Sequence, residues 1–426
     1  MLVMKFGGTS VCNPEGVKNV TGIVQQYAAE NQLLVVVSAI DKTTFHLEVL
    51  ARLARDYKED ETWKQFRKIR NFHHQMVEGL FPEEALSVRE QVAIYFDQIE
   101  RIIRGILLLG EFPLRTYDRI VAFGELLSTC IVSQYLHRSG MRTACPDARD
   151  IVKTDASYTK GKVIWSLTQK NVDEIVRPLF IDHDVVVTQG FISSSTEGKV
   201  TTLGREGSDY SASIFAAWLH AGSVTFWEDV AGILNGDPRI ETNTIKLDAL
   251  SYKRAVEMTF YGASVIHPKT IKPLRNAQIP LYVKCFNDID APGTIIREDS
   301  AVELNEEICS RIVKKAQALI QVSPQDFSFM DERQLNRIFS QGAKSGAEIN
   351  LVQISAISLT LCVTNIRSVI GEFESLLLDD FQVKIQEGLI LRTYINFGEK
   401  EHLEVANALV VQRAGNKLLA VLEAES

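Results

Sequence analysis

The 426-residue chain has few of the features that mark secreted, metal-binding or membrane proteins. Its six cysteines form no Cys-x-x-Cys pair and have no histidine at zinc-like spacing, which argues against a disulfide framework and a zinc site. A charged residue, Lys5, follows only four apolar residues, and no run approaches the roughly 18 apolar residues of a membrane span. We therefore expect a soluble, cytoplasmic protein with no membrane partner.

The chain also has no excess of positive charge. Lysine plus arginine number 46 against 54 aspartate plus glutamate, a net charge of −8, so no broad field would attract a phosphate backbone. This composition argues against a nucleic-acid partner. With 46% hydrophobic and 23% charged residues the chain is typical of globular proteins, and its length predicts two to three domains of about 150 residues.

Short apolar runs alternate with helical patterns in the first 300 residues. Leu2 to Phe6 predicts a strand, a glycine pair predicts a turn, and apolar residues on one face from Val17 to Tyr27 predict a helix. The run from Leu33 to Ala39 lacks polar alternation, as is typical of a strand covered on both faces of a parallel sheet. The fold class is therefore α/β, with a mostly parallel sheet between helices. Further strands are predicted at 119–123, 184–187, 223–227 and 279–285.

Two changes of pattern divide the chain further. Residues 47–110 are polar with apolar residues at helical spacing, which predicts a helical insertion. A polar stretch near 298–305 predicts a boundary between a domain of residues 1–300 and a C-terminal region of residues 306–426. The elements predicted in that region are strand 318–322, helix 331–345, strand 349–354, strand 358–363, helix 366–378, strand 381–385, strand 389–397, helix 402–413 and strand 417–422. The first six have the β-α-β-β-α-β order of a ferredoxin-like module, and the last three amount to half of a second copy.

The first candidate site follows the first strand. Lys5 precedes Gly7 and Gly8, and Thr9-Ser10 is expected to open the next helix. Glycines let the backbone approach a phosphate, a helix N-terminus offers free N–H groups, and the lysine adds a positive charge. A glycine pair alone would be explained by a plain turn, and the spacing is not that of a P-loop.

A second candidate is the segment Thr201 to Asp209. It combines hydroxyls, glycines, Arg205 for bidentate binding of a carboxylate or phosphate, and Asp209, which could act through magnesium. Because a helix is expected from Tyr210 to Leu219, Ser208 and Asp209 would lie at its N-terminus, a place that favours anions. The alternative is a polar surface loop.

Two further segments carry charges beside glycines. Asp229 and Arg239 flank one turn, although its Gly-Asp-Pro part needs no function to explain it. Glu125 follows Gly124 where a strand is expected to become a helix. There it could hold an amino group, or simply favour a helix N-terminus through the macrodipole.

These segments together resemble the amino-acid kinase superfamily and, within it, the aspartokinases. The motifs occur in family order: Lys5 to Ser10, Ser38-Ala39, Gly124 to Ser128, Gln189 to Phe191, Thr201 to Asp209, and Phe260 to Pro268. The resemblance is close over residues 1 to 300 and extends in outline to the C-terminal region, which resembles ACT-type regulatory modules. It implies MgATP-dependent phosphorylation of the side-chain carboxylate of L-aspartate to 4-phospho-L-aspartate, the first step toward lysine, threonine and methionine.

The resemblance also implies roles for single residues. Lys5, Asp209 and Arg205 would be catalytic, with Asp209 also contacting Mg²⁺, the implied cofactor, through ATP. The acceptor aspartate would be held by Ser38, Thr44, Glu125 and Arg205. ATP would be bound by Lys5, Gly7, Gly8, Ser208, Glu228, Asp229, Leu234, Arg239 and Ser264. The acceptor carboxylate has an ordinary pKa near 3.9, so it is an anionic nucleophile at pH 7 that needs no general base.

Three positions depart from the family pattern. Glu206 replaces a usual glycine, Glu228 replaces serine or threonine, and Ser264 replaces a nucleotide-binding lysine. Each change removes positive charge or adds negative charge beside the presumed phosphates. The departures are either tolerated drift or predict weaker ATP affinity or altered metal use. Lys269 could compensate if it points inward.

Two other functions are compatible with the same residues. One is a kinase of this fold acting on another small carboxylate, such as glutamate or an acylated amino acid. The other is a degenerate kinase that binds ligands and regulates a partner. The resemblance further implies a homodimer through the C-terminal region, because an isolated ferredoxin-like sheet leaves an edge that another copy covers. The resemblance also implies an effector pocket where two such modules meet, which binds an amino-acid end product such as lysine or threonine. In the loop from Pro324 to Phe329 the family's glycine is absent, and Phe327 or Phe329 is expected to fill this pocket instead.

Overall fold

The computed structural model describes residues 1–241, 243–263, 266–298, 308–326, 328–397, 408–415 and 418–424. They form two compact units. The first lies within Met1–Ile233, Asp248–Tyr252 and Ile266–Val302, and the second within Leu234–Leu247, Lys253–Val265 and Glu303–Ser426. The boundary predicted near 298–305 falls mainly on residues 299–307, which lie outside the described residues.

The first unit contains an eight-stranded sheet and a three-stranded sheet. Its strands, in chain order, are β1 Leu2–Phe6, β2 Leu33–Val37, β3 Thr143–Ala144, β4 Lys153–Thr154, β5 Val185–Gln189, β6 Ile192–Ser195, β7 Val200–Thr202, β8 Ser223–Glu228, β9 Ala249–Ser251, β10 Leu281–Cys285 and β11 Thr294–Arg297. The large sheet has the order β3-β5-β2-β1-β8-β10-β11-β9, and every pair in it is parallel except β10 with β11. The small sheet has the order β4-β6-β7.

Helices surround these strands. They are α1 Pro14–Ala28, α2 Thr43–Arg55, α3 Glu59–Leu80, α4 Ala85–Leu109, α5 Leu114–Val121, α6 Phe123–Arg138, α7 Ala148–Ile151, α8 Trp165–Asn171, α9 Arg177–Leu179, α10 Gly207–Leu219 and α12 Pro268–Asn276. Helix α11, Tyr252–Phe260, begins at the last residue of a first-unit segment and otherwise belongs to the second unit. A π-helical turn, Val172–Val176, joins α8 to α9. The predicted α/β class and mostly parallel sheet are confirmed, and α2, α3 and α4 account for the predicted helical insertion.

The strands of the large sheet are apolar because both faces are covered. All five residues of β2 and all five of β5 are buried. On one face of the sheet, Leu33, Val35, Val37, Val185 and Val187 join helix residues in one continuous core. The central position of β1, between β2 and β8, brings the end of β1 beside the end of β8. Parallel neighbours therefore deliver the residues after β1, β2 and β8 to one edge of the sheet.

The strand predicted at 119–123 is wrong. Arg119 to Val121 end helix α5, and Phe123 begins helix α6. Ile120, Val121 and Phe123 are buried in the core, and a short, fully buried apolar run has the same composition in a helix as in a strand. The stretch Leu114–Arg138 is also long and apolar enough to cross a membrane, but 78% of its apolar window is buried inside the protein, as in a core helix.

The second unit contains one six-stranded antiparallel sheet and two helices after residue 308. Its elements are β12 Ser310–Pro324, α13 Glu332–Ser345, β13 Ile349–Ile354, β14 Leu359–Thr364, α14 Arg367–Ser375, β15 Phe381–Ile395, β16 Val410–Ala414 and β17 Leu418–Ala424. The strand order is β13-β14-β12-β15-β17-β16. The β-α-β-β-α-β order of an ACT-type module is therefore present, and β12 and β15, with 15 residues each, continue past it.

Two predictions in this region need correction. The strands predicted at 381–385 and 389–397 belong to a single strand, β15, whose register with β12 shifts around Gly388, where φ is 72°. The predicted helix 402–413 is wrong over Val410 to Arg413, which pair with β17 in an antiparallel strand. In such a short segment, pairing with a neighbouring strand outweighs the local helical pattern, so the segment forms a strand. Residues 402–407 lie outside the described residues.

Candidate active site

A cavity of about 680 Å³ lies at the edge of the sheet where β1, β2 and β8 end. Its lining includes ten residues that the sequence marked as site residues: Lys5, Gly7, Gly8, Ser38, Thr44, Glu125, Arg205, Ser208, Asp209 and Glu228. They come from five separate segments of the chain. The fold of the first unit therefore brings the predicted phosphate, acceptor and metal residues to one place.

Lys5 is held by two carboxylates at the end of β1. Its Nζ lies 2.6 Å from Glu228 Oε1 and 2.9 Å from Asp209 Oδ1. Burial lowers the pKa of Lys5, but attraction to Asp209 and Glu228 outweighs burial and raises that pKa above its ordinary value. Burial also raises the pKa of Glu228, against the attraction of Lys5. Lys5 is therefore a buried ammonium group, 7% exposed, at the base of the cavity.

The glycines after β1 allow the backbone to pack closely. A Cβ on Gly8 would lie 2.7 Å from the Ala39 carbonyl oxygen and 2.9 Å from that of Asp41, both in the segment after β2. The expectation that Thr9-Ser10 opens a helix is wrong, because α1 begins at Pro14. The N-terminus that faces the cavity is that of α10, through Gly207, Ser208 and Asp209.

Glu125 is the other buried ionisable group of the cavity. It lies in the first turn of α6, directly after α5 and not after a strand, and it is 3% exposed. Its Oε1 accepts a hydrogen bond from the Ala39 N–H at 3.3 Å, and its Oε2 has no partner among the described residues. Burial raises the pKa of Glu125 to about 8. Glu125 is thus a buried carboxyl group with one oxygen left for a ligand.

The Leu203 to Glu206 loop is fastened to the start of α12. Glu206 Oε2 accepts a hydrogen bond from the His267 N–H at 2.7 Å. In the opposite direction, Lys269 Nζ donates to the carbonyl oxygens of Leu203, at 3.1 Å, and Arg205. The Arg205 side chain itself is 84% exposed, with its Nε 4.0 Å from Glu206.

These contacts bear on two features of the sequence. Glu206 has a φ of 52°, a left-handed conformation that glycine adopts more readily, which accounts for the family's usual glycine at this position. Lys269 uses its ammonium group to bind loop carbonyl oxygens and is not among the residues that line the cavity. Burial lowers the pKa of Lys269.

Three predicted nucleotide residues, Asp229, Leu234 and Arg239, are not among the residues that line the cavity. Asp229 follows β8 and is exposed. Leu234 and Arg239 belong to the second unit, where Arg239 pairs with Asp237 at 2.7 Å. Ser264 lies outside the described residues.

The cavity also has residues that the sequence analysis missed, among them Asp41, Tyr117, Thr159 and Lys160. Tyr117 lies in α5, the other three lie in loops, and none belongs to a motif. The signal that could have found them is adjacency to Gly8, Glu125 and Arg205 in space, which a single sequence does not give.

Comparison with known proteins supports the fold and shows the family. A sequence model of the amino acid kinase family matches residues 1–285. The lysine-sensitive aspartokinase 3 of Escherichia coli is 33% identical over 304 residues, which cover 70% of this chain and 64% of that protein. Chloroplastic aspartokinase 1 of Arabidopsis thaliana is 30% identical over 364 residues, covering 84% and 62%.

A solved structure extends this similarity to the C-terminal region. The crystal structure of Escherichia coli aspartokinase III in complex with aspartate and ADP matches with a TM-score of 0.85 and 26% identity, covering 100% of this chain and 96% of that one. The bifunctional aspartokinase/homoserine dehydrogenase of Buchnera aphidicola is 30% identical over 310 residues, covering 71% of this chain and 37% of that protein. The chain thus spans between about a third and two thirds of the length of these curated relatives.

Proposed function

Because the chain belongs to the amino acid kinase family, we propose that it is an aspartokinase. It transfers the γ-phosphoryl group of MgATP to the side-chain carboxylate of L-aspartate and so supplies 4-phospho-L-aspartate for lysine, threonine and methionine synthesis in the cytoplasm. The observation that carries the proposal is one cavity that holds both a buried ammonium group, Lys5, and a buried carboxyl group with a free oxygen, Glu125.

Glu125 and Arg205 are suited to the two kinds of charge on the acceptor. The free Oε2 of Glu125 can accept from the ammonium group of aspartate, which would also ionise the carboxyl group. The exposed guanidinium of Arg205 can bind a carboxylate through two parallel hydrogen bonds. Ser38 and Thr44 also line this cavity, and each supplies a hydroxyl group that can hydrogen-bond the acceptor.

Lys5 is suited to the phosphoryl group. Phosphoryl transfer depends on positioning and on neutralising the charge of the transferred group, because the acceptor is already an anion at pH 7. Lys5 supplies a fixed positive charge, Gly7 and Gly8 let phosphates approach the backbone, and Ser208 lies at the N-terminus of α10. On binding, the phosphates would compete with Glu228 for Lys5.

The magnesium ion of MgATP fits this cavity as a substrate-borne ion. Among the described residues, no group of three or more His, Cys, Asp or Glu side chains is placed to hold a metal alone. Mg²⁺ in kinases is commonly held by one or two carboxylates together with phosphates, and Asp209 offers such a carboxylate. When bound, the ion would neutralise phosphate charge. Glu228, Asp229, Leu234, Arg239 and Ser264 remain nucleotide residues proposed from the resemblance.

A panel of acceptors tests the proposal. ADP release would be measured in a coupled assay with aspartate, glutamate and N-acetylglutamate. We expect ADP release with aspartate at a kcat/KM well above that with the other two. ADP release with glutamate alone would identify a different kinase of this fold, and no release with any acceptor would identify a ligand-binding regulator.

Arg205 should be sensitive to a conservative change. A lysine cannot reproduce the planar, two-pronged contact with a carboxylate. We therefore expect Arg205→Lys to raise the KM for aspartate by roughly tenfold or more, with the KM for ATP changed little. Steady-state kinetics would measure both, with Arg275→Lys on the exposed face of α12 as the control. An unchanged aspartate KM would assign Arg205 to the fold or the nucleotide.

The C-terminal region is proposed to form a homodimer, with residues 1–300 as the catalytic domain and 306–426 as the ACT-type region. The sheet of the second unit ends in β13 and β16, and each has one edge without a strand partner among the described residues. A second copy would cover such an edge. The expected filling of an effector pocket by Phe329 is not seen, since this side chain is 76% exposed in the single chain, and Phe327 lies outside the described residues.

Inhibition by lysine or threonine is expected to be weak or absent. N–H donors in the loop before α13 and in the first turn of that helix are used internally: the Ser328 N–H donates to Asp326, and the Arg333 and Gln334 N–H groups of α13 donate to Asp331. These three donors are therefore not free for a ligand carboxylate. Titrating each amino acid at sub-saturating aspartate would measure the effect, and tight, complete inhibition by either would contradict the prediction.

A further inference from the structure

A loop after β4 places Lys160, a residue that belongs to no sequence motif, in the lining of the cavity. Thr159 and Lys160 both line the cavity. Lys160 has no ion-pair partner in the part of the chain that the structure describes, and its side chain is exposed. The cavity's other two cations differ from it, since Lys5 is bound by two carboxylates and Arg205 lies near Glu206.

The charges that line the cavity leave Lys160 free for a ligand. The acidic side chains of the lining are Asp41, Glu125, Glu206, Asp209 and Glu228. The lysines and arginine of the lining are Lys5, Lys160 and Arg205. An acceptor with two carboxylates entering such a negative cavity needs cations that are not already neutralised. Lys160 meets that requirement better than Lys5 does.

The loop of Lys160 is fixed by a buried carboxylate, Asp118. One oxygen of Asp118 accepts from the Thr159 N–H at 2.8 Å and from the Thr202 N–H at 3.1 Å. The other oxygen accepts from the Thr202 hydroxyl at 2.9 Å. Asp118 is fully buried, and it ties the residue before Lys160 to the end of β7. The Gly161 N–H adds a further bond to the Thr202 carbonyl oxygen at 2.9 Å.

The same loop packs against the residue before Arg205. A Cβ on Gly204 would lie 2.9 Å from the Thr159 carbonyl oxygen and 3.6 Å from Lys160 Cγ. Gly204 has a φ of 74°, so both its conformation and this close packing favour glycine. The stem of Lys160 therefore runs beside the backbone that carries Arg205, on the part of the cavity that the acceptor is proposed to occupy.

We propose that Lys160 is a second cation for the carboxylates of the acceptor, beside Arg205, and that Asp118 is a positioning residue that fixes the loop of Lys160. The inference rests on the proposed function and deepens it. Two cations in the same cavity as Glu125, which is proposed to bind the ammonium group, would select an amino acid with two carboxylates over one with a single carboxylate.

The first test removes the charge of Lys160. Lys160→Met should raise the KM for aspartate by roughly 10- to 100-fold, as expected for the loss of one charge-assisted contact, with kcat and the KM for ATP changed less than about threefold. Lys160→Arg should restore most of the loss. The matched control is Lys162→Met, two residues away in the same loop, which is exposed and does not line the cavity; it should behave as wild type.

The second test separates position from charge at Asp118. Asn at position 118 can accept from both N–H groups through its oxygen and donate to the Thr202 hydroxyl through its NH₂, so Asp118→Asn should keep the aspartate KM within about threefold of wild type. Asp118→Ala should raise that KM. In a Lys160→Met background Asp118→Ala should raise the aspartate KM little further, because the lysine that Asp118 is proposed to position is then absent.

Three results would overturn the inference: an unchanged aspartate KM in Lys160→Met, an effect on ATP alone, or additive effects of Asp118→Ala and Lys160→Met. If wild-type protein transfers no phosphoryl group to aspartate, the proposed function fails separately. Calorimetric titration of wild-type and Lys160→Met protein with aspartate then decides the inference, since equal affinities, or no binding by either, would overturn it.

Discussion

Lys5→Ala should lower kcat by on the order of 100-fold or more, with a much smaller change in the KM for aspartate. Lys5 is the buried ammonium group of the cavity, and in the proposed reaction its interaction with the phosphoryl group would be strongest where charge develops in the transition state. The effect should therefore fall on kcat. Single-turnover rates of ADP formation at saturating substrates would measure it.

Stability needs a control in this experiment. Removing Lys5 leaves Glu228 and Asp209 without their shared cation, so the melting temperature of the variant should be measured beside its activity. Lys284→Ala is the matched control, because Lys284 lies in β10 of the same sheet, over the Trp227 ring, and does not line the cavity. Wild-type turnover in a folded Lys5→Ala protein would remove Lys5 from the mechanism.

Glu125→Gln should raise the KM for aspartate by roughly 10- to 100-fold, because the amide cannot form a charge-assisted bond with the acceptor's ammonium group. The pH dependence gives a second signature. With a pKa of about 8 in the free enzyme, Glu125 is mostly protonated at pH 7 and ionises as the pH rises. The wild-type kcat/KM for aspartate should therefore rise between pH 6 and 8, and Glu125→Gln should lose this rise. Glu100→Gln on α4 is a control, since Glu100 pairs with Arg104 on that helix.

Glu125→Gln should also stabilise the ligand-free protein, relative to wild type, at high pH. The ordinary pKa of glutamate is 4.5 and the folded value is about 8, so the folded state holds the proton more tightly. Between pH 4.5 and 8 the unfolded state loses this proton while the folded state keeps it, and wild-type stability falls as the pH rises. The melting temperature of Glu125→Gln relative to wild type should therefore increase from pH 5 to pH 8. A constant difference would contradict the raised pKa.

The sequence predicted local features best. The strand Leu2–Phe6 and the tight turn at Gly8 were predictable because an apolar run and a glycine pair determine them within a few residues. The resemblance supplied ten of the residues that line the cavity. The ion pairs of Lys5 with Asp209 and Glu228 were not predicted, because they depend on how β1, β8 and α10 meet.

The errors have physical causes of the same kind. Ile120, Val121 and Phe123 are part of a short run of buried apolar residues, and such a run does not distinguish a buried helix from a buried strand. Val410 to Arg413 form a strand because β17 offers a partner, which is a long-range effect. Asp118 and Lys160 were missed because their role depends on hydrogen bonds between segments more than 40 residues apart in sequence.

The chemical identity of the product tests the central claim most directly. Wild-type protein would be incubated with MgATP, L-aspartate and hydroxylamine, and the trapped product identified by mass spectrometry against authentic aspartate hydroxamates. A phosphorylated side-chain carboxylate predicts the 4-hydroxamate of aspartate, formed in equal amount to ADP and absent without ATP. ADP release without hydroxamate, or a hydroxamate of the α-carboxylate, would contradict the account.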